Sequence, residues 1–200
     1  MTKQAPEMFE VSFDVSGNSL PDTYPFDLWH ALLRHIPALE SSEYVGVLPL
    51  RTAASEAGWL LPKRAKLVLR LPDSLVDHTE SLSDQILELG SSILKLGKRK
   101  LRPIQPYPTL HAHLVSAAED EVEFINNVLA RLAELEIPGK LICGMRNSLI
   151  APNREIHGFS LVIHDLKPDA SLRLQYTGLG ADRQFGCGIF VPYKVITDLD

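Results

Sequence analysis

One order of elements, strand-helix-strand-strand-helix-strand, can be read twice along these 200 residues, and that repetition constrains the fold more than any other feature. Phe9, Val11, Phe13 and Val15 alternate with Glu10, Ser12 and Asp14, the period-2 mark of a half-buried strand, which Gly17-Asn18 ends. Leu28, Trp29, Leu32, Leu33 and Ile36 then recur at helical spacing until Pro37 stops them. Val45 to Leu50 and Lys66 to Leu71 read as two further strands. Asp73 or Ser74 caps an expected helix running to about Leu89, and after Gly90 the residues Ile93, Leu94 and Leu96 open another strand.

The second half repeats the order. Leu110 to Val115 is a strand, and Glu119, Asp120, Glu121 and Glu123 place acids where a helix macrodipole favours them. Phe124, Val128, Leu129, Leu132 and Leu135 supply that helix's apolar stripe, and Pro138-Gly139 ends it. Leu141 to Ile150 and His157 to Ile163 form a strand pair, Asp169 or Ser171 caps a short helix over Leu172 to Tyr176, and Ile189 to Tyr193 is the last strand. Two βαββαβ units predict an α+β protein of two tandem ferredoxin-like domains, residues 1–105 and 106–200, joined at the stretch bearing Pro103, Pro106 and Pro108.

Composition narrows the function classes. No run of about eighteen uncharged apolar residues exists and the N-terminus is not built like a signal peptide, so the chain reads as cytoplasmic with no membrane partner. Cys143 and Cys187 are too few for a disulfide framework, are not spaced for zinc, and read as small buried thiols; no cofactor or metal is implied. A net charge of −5 argues against unselective coating of nucleic acid, which depends on many phosphate contacts. Local charge must carry any such role, and Lys95, Lys98, Arg99, Lys100 and Arg102 crowd into one short segment. That segment reads either as a phosphate-facing patch or as a charged edge strand kept soluble by lysine.

Four glycines, Gly178, Gly180, Gly186 and Gly188, fall in eleven residues between the last helix and the last strand. Glycine lets a backbone approach a ligand closely, so successive N–H groups can face phosphate oxygens, with Arg183 available for a charge-assisted contact. The other reading is a tight bend packed on the sheet. A dinucleotide site is excluded, since its glycines follow a strand and open a helix, and the Lys-Ser/Thr of a P-loop is missing.

The string S-L-R-L-Q-Y-T-G-L-G-A-D-R-Q-F-G-C-G-I-F-V-P, Ser171 to Pro192, resembles the C-terminal signature of the repeat-associated RNA-binding superfamily, in particular the Cas-six type of CRISPR endoribonuclease. Weaker similarity reaches upstream through the segment ending at Val115, the strand Leu67 to Leu71 and the opening F-x-V. The resemblance implies cleavage of guide-RNA precursors within the repeat hairpin, without metal. The RNA's 2′-hydroxyl attacks the adjacent phosphate, leaving a 2′,3′-cyclic phosphate. It implies as partners the CRISPR repeat hairpin, the mature guide RNA retained after cutting, and further subunits of a CRISPR interference complex.

Such chemistry needs an acid, a base and a cation, and histidine suits the first two roles. At helical spacing His30 falls opposite the apolar face, with Asp27 and Arg34 one turn either side. The resembled family often places its catalytic histidine in or near the first helix beside a tyrosine, which Tyr24 fits. His30, Tyr24 and Arg34 are therefore the expected catalytic group, with His35, nearer the apolar edge, as the second candidate histidine. His111 and His113 share one side of a strand, where an RNA contact is expected rather than a metal site, and Arg146 and Arg173 are lesser RNA-binding candidates. Two competing readings are a non-catalytic subunit that grips guide RNA and an unrelated metabolic or regulatory ferredoxin-like domain.

Overall fold

A computed structural model describes residues 5–56, 58–118 and 120–193. Strand β1 (Met8–Gly17) runs into the two-residue β2 (Ser19–Leu20) and helix α1 (Tyr24–His35), then β3 (Gly46–Val47), β4 (Ala53–Ser55), β5 (Gly58–Leu60) and β6 (Lys66–Pro72). A four-residue helix α2 (Asp73–Val76), the hairpin β7 (Ile86–Leu89) and β8 (Ser92–Leu96), and β9 (Lys100–Pro103) complete the first half. The second half holds β10 (Leu110–Ser116), α3 (Glu121–Glu134), β11 (Lys140–Ala151), β12 (Arg154–His164), α4 (Pro168–Thr177) and β13 (Val191–Pro192).

The second sheet has the order β11-β12-β10-β13 with antiparallel pairing throughout, as a ferredoxin-like βαββαβ unit requires. The first sheet has the same plan, β3-β6-β1, but two segments share the place of its fourth strand. β9 pairs with β1 at Phe9 to Ser12, and β8 pairs with it at Val15 to Gly17. A separate small sheet, β2-β5-β4, forms with its flanking turns a flap that packs on the first core through Leu20, Trp59 and Leu61.

Alternation builds the core. Val11, Phe13 and Val15 of β1 and Leu67, Leu69 and Leu71 of β6 pack beneath Leu28, Ala31 and Leu32 of α1. In the second half, Leu110, Ala112, Leu161 and Ile163 pack against Phe124, Val128 and Leu132 of α3. Leu114, Ile156, Phe185 and Cys187, from the second half of the chain, are buried in the first cluster. The two halves thus share apolar surface beyond the proline-bearing connection.

Several expected elements differ in the structure. The helix expected to reach Leu89 ends at Val76, and Asp77–Leu82 forms a 3₁₀ turn before β7. Leu87 and Leu89 are buried while Ile86 and Glu88 are exposed, a period-2 pattern that pairs with β8 around Gly90 at φ +62°. The strand expected over Val45 to Leu50 pairs only at Gly46–Val47, and the last strand only at Val191–Pro192. Neither Asp73 nor Ser74 caps α2, which starts after Pro72, and neither Asp169 nor Ser171 caps α4, which starts after Lys167 with Pro168 at its first position. Asp120 does cap α3, accepting from the Glu123 N–H at 3.0 Å, while Glu119 lies outside the described residues. Leu129, expected in the α3 stripe, is 48% exposed, because it sits one position beyond Val128 on the helix circumference. Cys187 is buried as expected, its thiol pushed up to about 12 by burial and by Asp182, but Cys143 is only half-buried.

Candidate active site

Helix α1 carries the expected catalytic group. Pro25 presets its first turn, and Phe26, Leu28, Trp29, Ala31 and Leu32 turn inward, leaving His30, Arg34 and His35 exposed. The Thr23 hydroxyl donates to Asp27 Oδ2 at 2.7 Å, and a Cβ placed on Gly90 would lie 4.0 Å from that same oxygen. Arg34 donates to the Glu88 carbonyl at 3.1 Å. Asp27 and Arg34, one turn before and after His30, both lie against the β7–β8 hairpin. Phe26, also one turn before His30, packs against Phe185 of the glycine segment with ring centres 4.7 Å apart and the planes tilted by 40°. His30 therefore occupies the strip of α1 between the hairpin and the glycine segment. His35 is exposed rather than core-flanking. Tyr24 is half-buried; burial pushes its phenol pKa up, partly offset by a hydrogen bond from the Leu50 backbone.

The glycine segment is built differently from a phosphate cradle. The N–H groups of Gly178, Leu179, Phe185, Gly186, Cys187 and Gly188 donate to carbonyls of Leu174, Gly188, Asp182, Arg183, Asp182 and Leu114, respectively. The Ala181 N–H meets the Ser116 hydroxyl at 3.0 Å. Gly188 has φ +64°, and a Cβ there would overlap the Leu179 carbonyl oxygen, so only glycine closes this turn. Arg183, expected to face phosphate, is instead 5% exposed. It donates to the carbonyls of Tyr44 at 3.2 Å and Tyr176 at 3.3 Å, and burial, with nearby Arg70 adding, pushes its pKa down to about 10. The reason is packing: a Cβ on Gly178 would overlap the Arg183 guanidinium, so that glycine makes room for an inward-folded arginine. Gly180 and Ala181 form the outward face. Asp182 holds Arg154 at 2.6 Å, and Arg154 lies over the Phe185 ring at 4.7 Å.

The basic segment divides. Lys95 and Lys98 are exposed and form no ion pair among the described residues. Arg99 is tied down by the Val76 carbonyl at 3.0 Å and Glu80 at 2.8 Å, Lys100 pairs with Asp14, and Arg102 pairs with Glu10 at 2.7 Å. Arg173 donates to the carbonyls of Leu135 and Glu136 at 2.8 and 3.0 Å, satisfying the C-terminus of α3. Arg146 is exposed, 5.6 Å from the centre of the Phe159 ring. His113 is exposed, whereas His111 is half-buried against Tyr193 at 5.6 Å, its pKa lowered by burial and by His113.

Sequence reading missed the buried pair of Glu10 and Arg70. Arg70 is 0% exposed, bonds Glu10 Oε1 at 2.7 Å, and donates to the carbonyls of Phe190 at 2.8 Å and Gln175 at 3.1 Å. It fastens α4 and the end of the glycine segment onto the face of β6 opposite Leu69 and Leu71. Glu10 and Arg70 stand directly opposite in register, yet each reads alone as an ordinary polar position of an alternating strand.

The family model described as Cas6 Crispr matches residues 9–195. The chain is 33% identical over 185 residues to the CRISPR-associated endonuclease Cas6 of Myxococcus xanthus (strain DK1622), an alignment covering 92% of this chain and 80% of that protein. A solved CRISPR associated protein Cas6 shares the fold at TM-score 0.68 and 10% identity, over 94% of this chain and 100% of the other. A structure of the CRISPR endoribonuclease Cse3 bound to 19 nt RNA shares it at TM-score 0.53 and 14% identity, over 92% and 98%.

Proposed function

This chain belongs to the Cas6 family of CRISPR-associated endonucleases, and from that premise we propose that it cuts CRISPR precursor RNA within the repeat hairpin by metal-independent acid–base chemistry and retains the mature guide. The observation that carries this reading is the setting of His30. It is solvent-facing on α1, flanked at one turn by Asp27 and Arg34, and the same helix packs through Phe26 on the glycine segment.

In this reading the RNA's 2′-hydroxyl attacks the adjacent phosphorus and the P–O5′ bond breaks, giving a 2′,3′-cyclic phosphate and a 5′-hydroxyl. His30 moves the proton at the 2′-hydroxyl or at the leaving oxygen, roles worth roughly 10²–10⁴-fold in rate. Arg34 places a guanidinium beside the charge that develops on the phosphorane. Tyr24 shapes the site at the start of α1, and His35 is the reserve acid–base group. The RNA-binding surface comprises the outward Gly180–Ala181 face, Lys95, Lys98, His113 and Arg146. Gly178, Gly186, Gly188 and Arg183 hold the glycine segment in shape instead of meeting phosphate themselves.

Incubating labelled repeat RNA with the protein in EDTA tests this. The expected result is cutting at one position with a cyclic-phosphate end; dependence on magnesium, or an end bearing a 3′-hydroxyl, overturns the mechanism. Binding without any cutting would make the chain the non-catalytic guide-gripping subunit.

A further inference from the structure

The flap carries cations that the site described above does not use. Between Arg51 and Lys66 stand four cations, Arg51, Lys63, Arg64 and Lys66, against the single acid Glu56, in a protein of net charge −5. Arg51, Lys63 and Arg64 are exposed and form no ion pair among the described residues. Lys63 and Arg64 lie in a turn closed by the Ala65 N–H on the Pro62 carbonyl at 3.0 Å, and the Ala65 carbonyl accepts from the Val15 N–H at 3.1 Å. The turn is therefore fixed to the C-terminal end of β1.

The other edge of that strand end receives the second basic segment. Lys95 stands opposite Ser16, Gly97 donates to the Asp14 carbonyl at 2.8 Å, and the Asp14 carboxylate takes both Lys66 and Lys100. Asp14 and Ser16 point to one face of β1, so Lys66, Lys95 and Lys100 share that face, with Lys63, Arg64 and Lys98 at its rim. Among the acids nearby, Asp14 is already shared by two lysines, Glu10 holds Arg70 and Arg102, Asp77 and Glu80 hold Arg99, and Asp84 lies where its N–H bonds the Gly97 carbonyl at 3.2 Å. Arg51 continues the series toward the active helix, because it follows Leu50, whose backbone bonds the Tyr24 hydroxyl. Two basic runs about thirty positions apart in sequence thus become one band ending beside α1.

We propose that Arg51, Lys63 and Arg64 bind backbone phosphates of the RNA substrate, extending the Lys95 and Lys98 patch into a continuous phosphate track that leads to α1. The proposal rests on the RNA-cutting function proposed above. Phosphate contacts made by exposed cations act through counterion release, so each one adds a definite increment to the salt dependence of binding.

Affinity for the repeat hairpin, measured across a range of potassium chloride, reads this directly. The K63A/R64A double variant should lower the slope of log K against log salt by about 2, and R51A by about 1 more. K167A, an exposed lysine at the start of α4, should leave the slope unchanged. Thermal melting of each variant checks that the fold persists, and a purely structural role for the flap would not move the slope. Wild-type binding with an unaltered slope in K63A/R64A overturns the track alone. A wild-type protein that binds no repeat hairpin removes the functional reading and the track with it.

Discussion

The glycine segment and the flap both place arginine in tight turns, yet they use it in opposite ways. In the glycine segment Arg183 is 5% exposed and the N–H groups bond the protein's own carbonyls, whereas Arg51, Lys63 and Arg64 in the flap face solvent without ion pairs among the described residues. Glycines that look like a phosphate cradle here allow close packing, so that the segment clasps β3, β6 and β10 and presents Phe185 to α1. The difference teaches that glycine richness reports how near two backbones come, and only the fold shows whether the second backbone is a ligand's or the protein's own.

The sharpest break between the clasp and the chemistry comes from His30→Ala. Single-turnover cleavage of repeat RNA should fall by roughly 10²–10⁴-fold with melting unchanged; near-wild-type cutting would move the acid–base role elsewhere, with His35→Ala as the next variant to assay. Arg70→Met strikes the clasp instead. It leaves the Glu10 carboxylate facing only the exposed Arg102 and frees two buried carbonyls, so urea unfolding should show a loss of about 3–5 kcal/mol. A loss well under 1 kcal/mol would show that the halves are held without the Arg70 contacts.

Gly188→Ala should cost about 1–3 kcal/mol through left-handed strain, with further loss from the overlap on Leu179. Its salt slope for RNA should match wild type, which separates a packing glycine from a phosphate-binding one. The smallest effect is in acid. Burial alone would raise the Glu10 pKa, but Arg70 and Arg102 outweigh it and hold the carboxyl below its ordinary value. A depressed carboxylate contributes stability above its unfolded pKa and loses it as pH falls through the folded one. Stability should therefore decline in that acid window, and Glu10→Gln should flatten the decline in a pH series of denaturation curves.

Much of the scaffold was legible because alternation and helical spacing are local signals. β1, β6, β10 and the β11–β12 pair follow directly from which residues are apolar, and so does the repeated order of elements. The β7 strand was not legible: Ile86 to Leu89 follows a capped-looking start at Asp73, and its partner β8 is recognisable only once the chain folds back at Gly90. The same limit hid the site's frame. His30 could be placed on a polar helix face from spacing, but not between the β7–β8 hairpin and Phe185.

By itself, then, the sequence determined two βαββαβ units, a solvent-facing histidine on the first helix and a family signature at the end of the chain. Only tertiary structure decided that Arg183 turns inward, that Arg70, paired with Glu10, joins the halves through the Gln175 and Phe190 carbonyls, and that Lys63 and Arg64 meet Lys95 and Lys98 around the end of β1. The physical reason is one of range. Periodicity records which face of an element is apolar, while burial of a charge and convergence of cations depend on pairing register and on what packs above, which residues far apart in the chain supply.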